Sequence, residues 1–175
     1  MLLTALIAGM AVQAAQLAYP ATPQQFSGRR SSYVQGTLNL AAGERATLRR
    51  NADGTYDLTR VDRIQVRDVL PPAQGSRGSL NNAASGTVRF GLHARQDVGS
   101  LLKVENGLDE GLKYGGFVVR YVGGRARGPE ATSVCTVPRG MASLEHWQEP
   151  VIQVVVGGIT RSDDALPTCP PHVEP

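Results

Sequence analysis

Aromatic side chains are scarce in this chain: one Trp, five Tyr and three Phe make up 5% of 175 residues. A face that stacks sugars on several exposed rings therefore has little to draw on. Histidines number three, His93, His146 and His172, each isolated, and the cysteines number two, so no zinc-ligand spacing occurs and neither a structural metal nor a cofactor is expected. No G-x-S-x-G marks a nucleophile elbow, and neither Gly115-Gly116 nor Gly123-Gly124 belongs to a phosphate-cradling G-x-G-x-x-G. No catalytic residue is assigned, and the chain reads as non-enzymatic. No internal repeat is found at periods of about 20 to 50 residues, and no apolar run reaches the ~20 residues of a membrane-crossing helix.

Charge of one sign is also nearly lacking. Eighteen Lys and Arg face 15 Asp and Glu, for a net charge of +3, and 16 of the 18 are Arg. The densest basic spots, Arg29-Arg30, Arg49-Arg50 and Arg125 with Arg127, are short and read as solvated loops. No basic stripe is visible along the chain, so nucleic acid is not an expected partner. The acidic pairs Asp109-Glu110 and Asp163-Asp164 lack calcium-loop spacing and read as solvated turns.

What is present begins with an N-terminal apolar run, Leu2 to Val12, followed by small residues suited to cleavage after Ala14. Residues 1–14 are expected to be a signal peptide and the mature protein to be periplasmic or secreted. No Cys follows the run, so no lipid anchor is indicated, and the mature chain is expected not to span a membrane. In an oxidising compartment an even pair of cysteines is expected to be bridged. A Cys135–Cys169 disulfide closes a loop of about 33 residues, worth about 3 to 4 kcal/mol in the chain-entropy model. It pins a proline-rich tail that has little to bury.

Residues 15–32 carry no apolar period and read as a flexible arm. Period-two alternation starts at Tyr33, with Leu38 and Leu40, then Ala46 and Leu48, on one face. The Asp53-Gly54 pair signals a hairpin whose turn requires positive φ values. Ile64 and Val66 continue the alternation as far as Leu70, where Pro71 and Pro72 end any ladder. Residues 71–86 form a polar break, either a loop or a subdivision of the domain. Val88, Phe90, Leu92 and Ala94 make the clearest half-buried strand. A short strand at Leu102 and Val104 closes on a Glu105-Asn106-Gly107 turn. Residues 112–122 read as a strand with a bulge or close backbone approach at Gly115 and Gly116, and 123–129 as its turn. Residues 133–137 place Cys135 on a strand, 141–148 suggest a helical turn, and 151–156 form a central strand. Eight or nine short strands with little helix predict an all-β antiparallel β-sandwich, Ig-like or related, over 33–175.

One stretch concentrates chemistry. Glu145, His146, Trp147 and Glu149 crowd into 143–150, where a carboxylate can orient an imidazole for base catalysis and an indole can receive a sugar. The simpler expectation is a loop whose Trp caps the sandwich. Tyr114 and Tyr121 are further candidate stacking surfaces. The expectation for function is an interaction or structural module of the bacterial envelope that binds a protein partner through an edge strand or the arm. The alternative is a carbohydrate-binding or carbohydrate-active domain using Trp147.

Overall fold

A computed structural model describes residues 30–71, 80–95 and 99–170. The expected signal peptide and most of the arm lie outside them, as do the last five residues.

Alternation builds the strands. In β3 (Glu44–Arg50), Ala46 and Leu48 are buried while Arg45, Thr47 and Arg49 point the other way, and β2 (Thr37–Ala41) buries Leu38 and Leu40 in the same manner. The remaining strands are β1 (Ser32–Val34), β4 (Tyr56–Arg63), β5 (Thr87–Arg95), β6 (Gly99–Asn106), β7 (Gly111–Val122), β8 (Arg125–Thr132), β9 (Ala142–Trp147) and β10 (Val151–Ser162). They form two five-stranded sheets, ordered β1-β2-β10-β7-β8 and β4-β3-β5-β6-β9. Every pairing is antiparallel. This is the all-β, disulfide-bearing sandwich that the strand periods predict.

The inner faces of the sheets meet in one core that includes Leu40, Leu48, Phe90, Leu102, Val118 and Val154. Phe90 of one sheet meets Tyr114 of the other edge to face, ring centroids 5.6 Å apart. Each fully buried side chain of this size contributes about 1.5 to 3 kcal/mol. Strands before and after 71–86 contribute to both sheets and to this core.

Several segments depart from the periodic expectation, each for a local reason. The alternation after β4 stops at Arg63, and α1 (Val66–Val69) is a single helical turn, with the Gln65 N–H donating to the Asp68 carboxylate at 2.7 Å. Its Val69 packs over Gly91, where no side chain stands in the way. Residues 141–148 hold β9 rather than a helical turn. Its inward positions are Ser143, Glu145 and Trp147, so polarity hides the period of two. Residues 125–129 belong to β8 and only Gly123-Gly124 makes the turn; this edge strand is exposed on both faces and shows no apolar alternation. Residues 133–136 are not a strand, because Thr136 gives its backbone N–H to Thr168 of the tail. Only Val137 pairs, as an isolated bridge with Leu112.

The β3–β4 hairpin forms with a longer loop than an Asp-Gly pair suggests. Gly54 alone takes positive φ, at +85°, while the Asp53 carboxylate accepts the Thr55 N–H at 2.9 Å. Register shifts in and beside β7 fall at 118–120 and, on β10, at 151–153 and 157–160, the last starting from the Gly157–Gly115 pair, while Gly115 and Gly116 themselves stay in register. Gly116 is instead a close approach, since a Cβ there would stand 2.9 Å from Val134 Cγ1.

Candidate functional site

Strand geometry separates the residues that the sequence groups together. On β9, Glu145 and Trp147 turn toward the core while His146 is exposed on the opposite face, so alternation parts the carboxylate from the imidazole next to it in sequence. Glu145 accepts the Cys135 N–H at 2.9 Å, and burial raises its pKa above the ordinary carboxylate value. The Trp147 indole N–H donates to Thr132 Oγ1 at 2.9 Å and the ring packs on the core. Tyr114 is buried and offers no ring face to a ligand; burial, with the charge of Glu145 acting in the same sense, pushes its hydroxyl far above its ordinary value. Tyr121 is half-exposed near the end of β7, with its N–H donating to Pro150 O at 2.8 Å.

Cys135 and Cys169 are disulfide-bonded. On either side of the bridge the Thr136 N–H donates to Thr168 O and the Thr168 N–H to Thr136 Oγ1, both at 2.9 Å, so the tail is tied by backbone as well as sulfur. Three of the four residues in the acidic pairs are met by arginines, and Asp164 accepts from the Ser162 hydroxyl at 2.9 Å. Glu110 pairs with both Arg50 and Arg161, Asp109 with Arg139, and Asp163 with Arg161. Among the described residues no three His, Cys, Asp or Glu side chains gather where they could hold a metal, and no helix is long and apolar enough to cross a membrane.

A different surface emerges on the outer face of the second sheet. An open groove of about 520 Å³ is lined by Arg45, Thr47 and Arg49 of β3, Arg60 and Asp62 of β4, and Thr87 and Arg89 of β5, together with Asn82 and Ala84 of the segment before β5. The register places these groups in rows. Thr47 lies opposite Arg60 on one side and Arg89 on the other; Arg45 lies opposite Asp62 and Gly91; Arg49 lies opposite Asp57 and Thr87. Four guanidinium-bearing residues thus surround one threonine.

Their neutralisation is partial. Asp62 pairs with Arg60 at 2.6 Å and Arg45 at 3.5 Å. Burial works to raise the Asp62 carboxyl, but the Arg60 hydrogen bond and the charges of Arg60 and Arg45 outweigh it and hold it below its ordinary value. Glu105 is shared between Arg89 at 3.5 Å and Lys103 at 3.3 Å. Burial pulls the Arg89 guanidinium below its usual value, Glu105 opposing and Arg45 reinforcing the shift; it stays charged at any physiological pH. Asn82 braces this corner, its N–H on Glu105 and its carbonyl accepting from Arg89 at 2.8 Å.

Arg49 and Arg50 therefore belong to a strand, not a loop, and the arginines of three strands converge where the linear sequence shows no basic stripe. The signal was the polar face of the alternation. Reading only outward positions gives Arg45, Thr47, Arg49 on one strand and Thr87, Arg89 on its neighbour. No family model, no curated protein and no solved structure matches the chain.

Proposed function

We propose that this protein is a non-enzymatic interaction module of the bacterial envelope, exported and oxidised, which docks an acidic partner protein on the arginine-lined outer face of its second sheet. The observation that carries the reading is the partial neutralisation of that groove: Arg45 and Arg60 share Asp62, Arg89 shares Glu105 with Lys103, and Arg49 forms no ion pair among the described residues. Complementary charge steers encounter and fixes orientation between proteins, and guanidinium groups suit carboxylates because they bond them in a two-pronged fashion. The Cys135–Cys169 bridge supports the exported part of the reading, since such bonds persist in oxidising compartments.

The test is gentle cross-linking of the chain expressed in its native envelope, with captured proteins identified by mass spectrometry, beside an Arg49→Glu/Arg60→Glu variant. Both arginines are exposed, so the variant is expected to stay folded, with a loss of about 1 kcal/mol from the Arg60–Asp62 pair that urea denaturation reads. One dominant partner held by the parent and lost by the variant is the expected result. A partner held equally by both proteins, or none by either, would overturn the assignment.

A further inference from the structure

The two sulfurs of the Cys135–Cys169 bridge stand in different surroundings. Cys169 is exposed in the tail, whereas Cys135 is half-buried in the strap that leads from β8 to β9. An incoming thiolate therefore reaches the Cys169 sulfur first, which makes Cys135 the leaving group. Beside Cys135 stands the Glu145 carboxyl of β9, one oxygen accepting the Cys135 N–H at 2.9 Å and the other 4.0 Å from its sulfur. A thiolate released there would face a carboxylate in a place short of water, so it departs readily only with a proton.

Glu145 can carry that proton. Burial raises its pKa above the ordinary carboxylate value, and it forms no ion pair among the described residues. The groups that face it add no charge near neutral pH. They are Tyr114 of β7, whose hydroxyl burial keeps protonated, Leu102 opposite it on β6, and Ser143 on the same face of β9.

We propose that the Cys135–Cys169 bridge is a thiol-exchange site, at which a small external thiol attacks Cys169 and the Glu145 carboxyl passes its proton to the departing Cys135 sulfur. The attacking thiolate bonds to Cys169 Sγ as the Sγ–Sγ bond breaks, and the electron pair of that bond goes to Cys135 Sγ. The products are a mixed disulfide at Cys169, a Cys135 thiol and a Glu145 carboxylate; the external thiol is oxidised and Cys135 reduced. In the reverse direction the carboxylate takes the proton back, and the Cys135 thiolate attacks Cys169 and expels the external thiolate. Hydrogen bonds between Thr136 and Thr168 span the same junction and guide the tail back into register as the bond re-forms. The site lies at β9, the edge of the second sheet opposite β4, and does not depend on the arginine groove.

The test is reduction of the folded, oxidised chain by excess glutathione between pH 5 and 8, with acid quenching, mass-spectrometric mapping of the adduct, and rates expressed per glutathione thiolate. The first adduct is expected on Cys169. The rate per thiolate is expected to fall as pH rises through the titration of Glu145. Glu145→Gln, which keeps an oxygen for the Cys135 N–H, is expected to give a flat profile and, at pH 5, a rate lower by about a hundredfold, the low end for a positioned proton donor. A first adduct on Cys135, one pH profile for both proteins, or reduction no faster than global unfolding at the same pH would each overturn the proposal.

Discussion

The backbone N–H of Cys135 donates to the carboxylate of Glu145 at 2.9 Å, and the other carboxylate oxygen stands 4.0 Å from the Cys135 sulfur. The disulfide strap and the edge strand β9 thus share one corner, and the group between them is a carboxylate taken largely out of water. One backbone donor does not offset that desolvation, and the pKa is raised.

This raised pKa makes Glu145 a destabilising charge at neutral pH. In the unfolded chain a Glu titrates near about 4.3. Because the folded value is higher, the group's favourable contribution is fully present below the unfolded value and is lost as pH rises through the folded one. Glu145→Gln keeps an oxygen to accept the Cys135 N–H and carries no charge. It is expected to match the parent at pH 3.5 and to be the more stable protein at pH 8. Urea denaturation of both proteins across this range reads the difference; a gap that stays constant with pH would show that Glu145 is not the titrating group.

Removing the bridge should loosen the tail before the sheets. The Cys135–Cys169 bond joins residues separated by 34 positions, and its loss in a Cys135→Ala/Cys169→Ala variant is expected to cost about 3 to 4 kcal/mol by the loop-entropy relation. The paired Thr136 and Thr168 amides hold the same junction and should lose their hydrogen-exchange protection. Amides of the central strand β10 should fall only by the global loss of stability.

The pairing of those cysteines and the two-sheet architecture were legible because each left a local mark: an even cysteine count, and an alternation in which Leu38, Leu40, Ala46, Leu48, Val88, Phe90 and Leu92 all fall on buried faces. The strands that escaped notice lack that mark. β8 buries almost nothing, and β9 turns Ser143 and Glu145 inward, so neither shows apolar residues at period two. The arginine groove escaped for another reason. Arg45, Arg60 and Arg89 are far apart in sequence, and only the register of β4, β3 and β5 brings them around Thr47. The crowding at 143–150 misled because adjacency along a strand puts neighbours on opposite faces.

Asn106 is more than the turn residue that Asn-Gly suggests. It is fully buried at the end of β6, and its side-chain amide donates to the carbonyls of Glu110 at 2.8 Å and Val137 at 3.0 Å while its oxygen accepts the Leu108 N–H at 3.0 Å. One side chain thereby ties the β6–β7 turn to the strap that leads to Cys135. Asn106→Ala leaves these groups buried without partners and is expected to cost about 2 to 4 kcal/mol. Asn106→Leu should do no better, because the missing element is polar. A loss under about 0.5 kcal/mol by urea denaturation would mean that water replaces the amide.

Gly116 tests how closely the strap packs on β7. A methyl group there would stand 2.9 Å from Val134 Cγ1 and 3.2 Å from Thr132 Cγ2, closer than carbon atoms tolerate. Both neighbours are β-branched and confined to few rotamers, so the strap has to move. Gly116→Ala is accordingly expected to cost about 1 to 3 kcal/mol, the usual penalty for overpacking. Gly115, whose added methyl would meet only Gly157 O at an ordinary 3.5 Å, should accept Ala with little change. The decisive comparison is Gly116→Ala combined with Val134→Ala. If the clash with Val134 is the cause, the double variant recovers stability relative to the sum of the two single changes. Strict additivity would place the strain elsewhere along the strand.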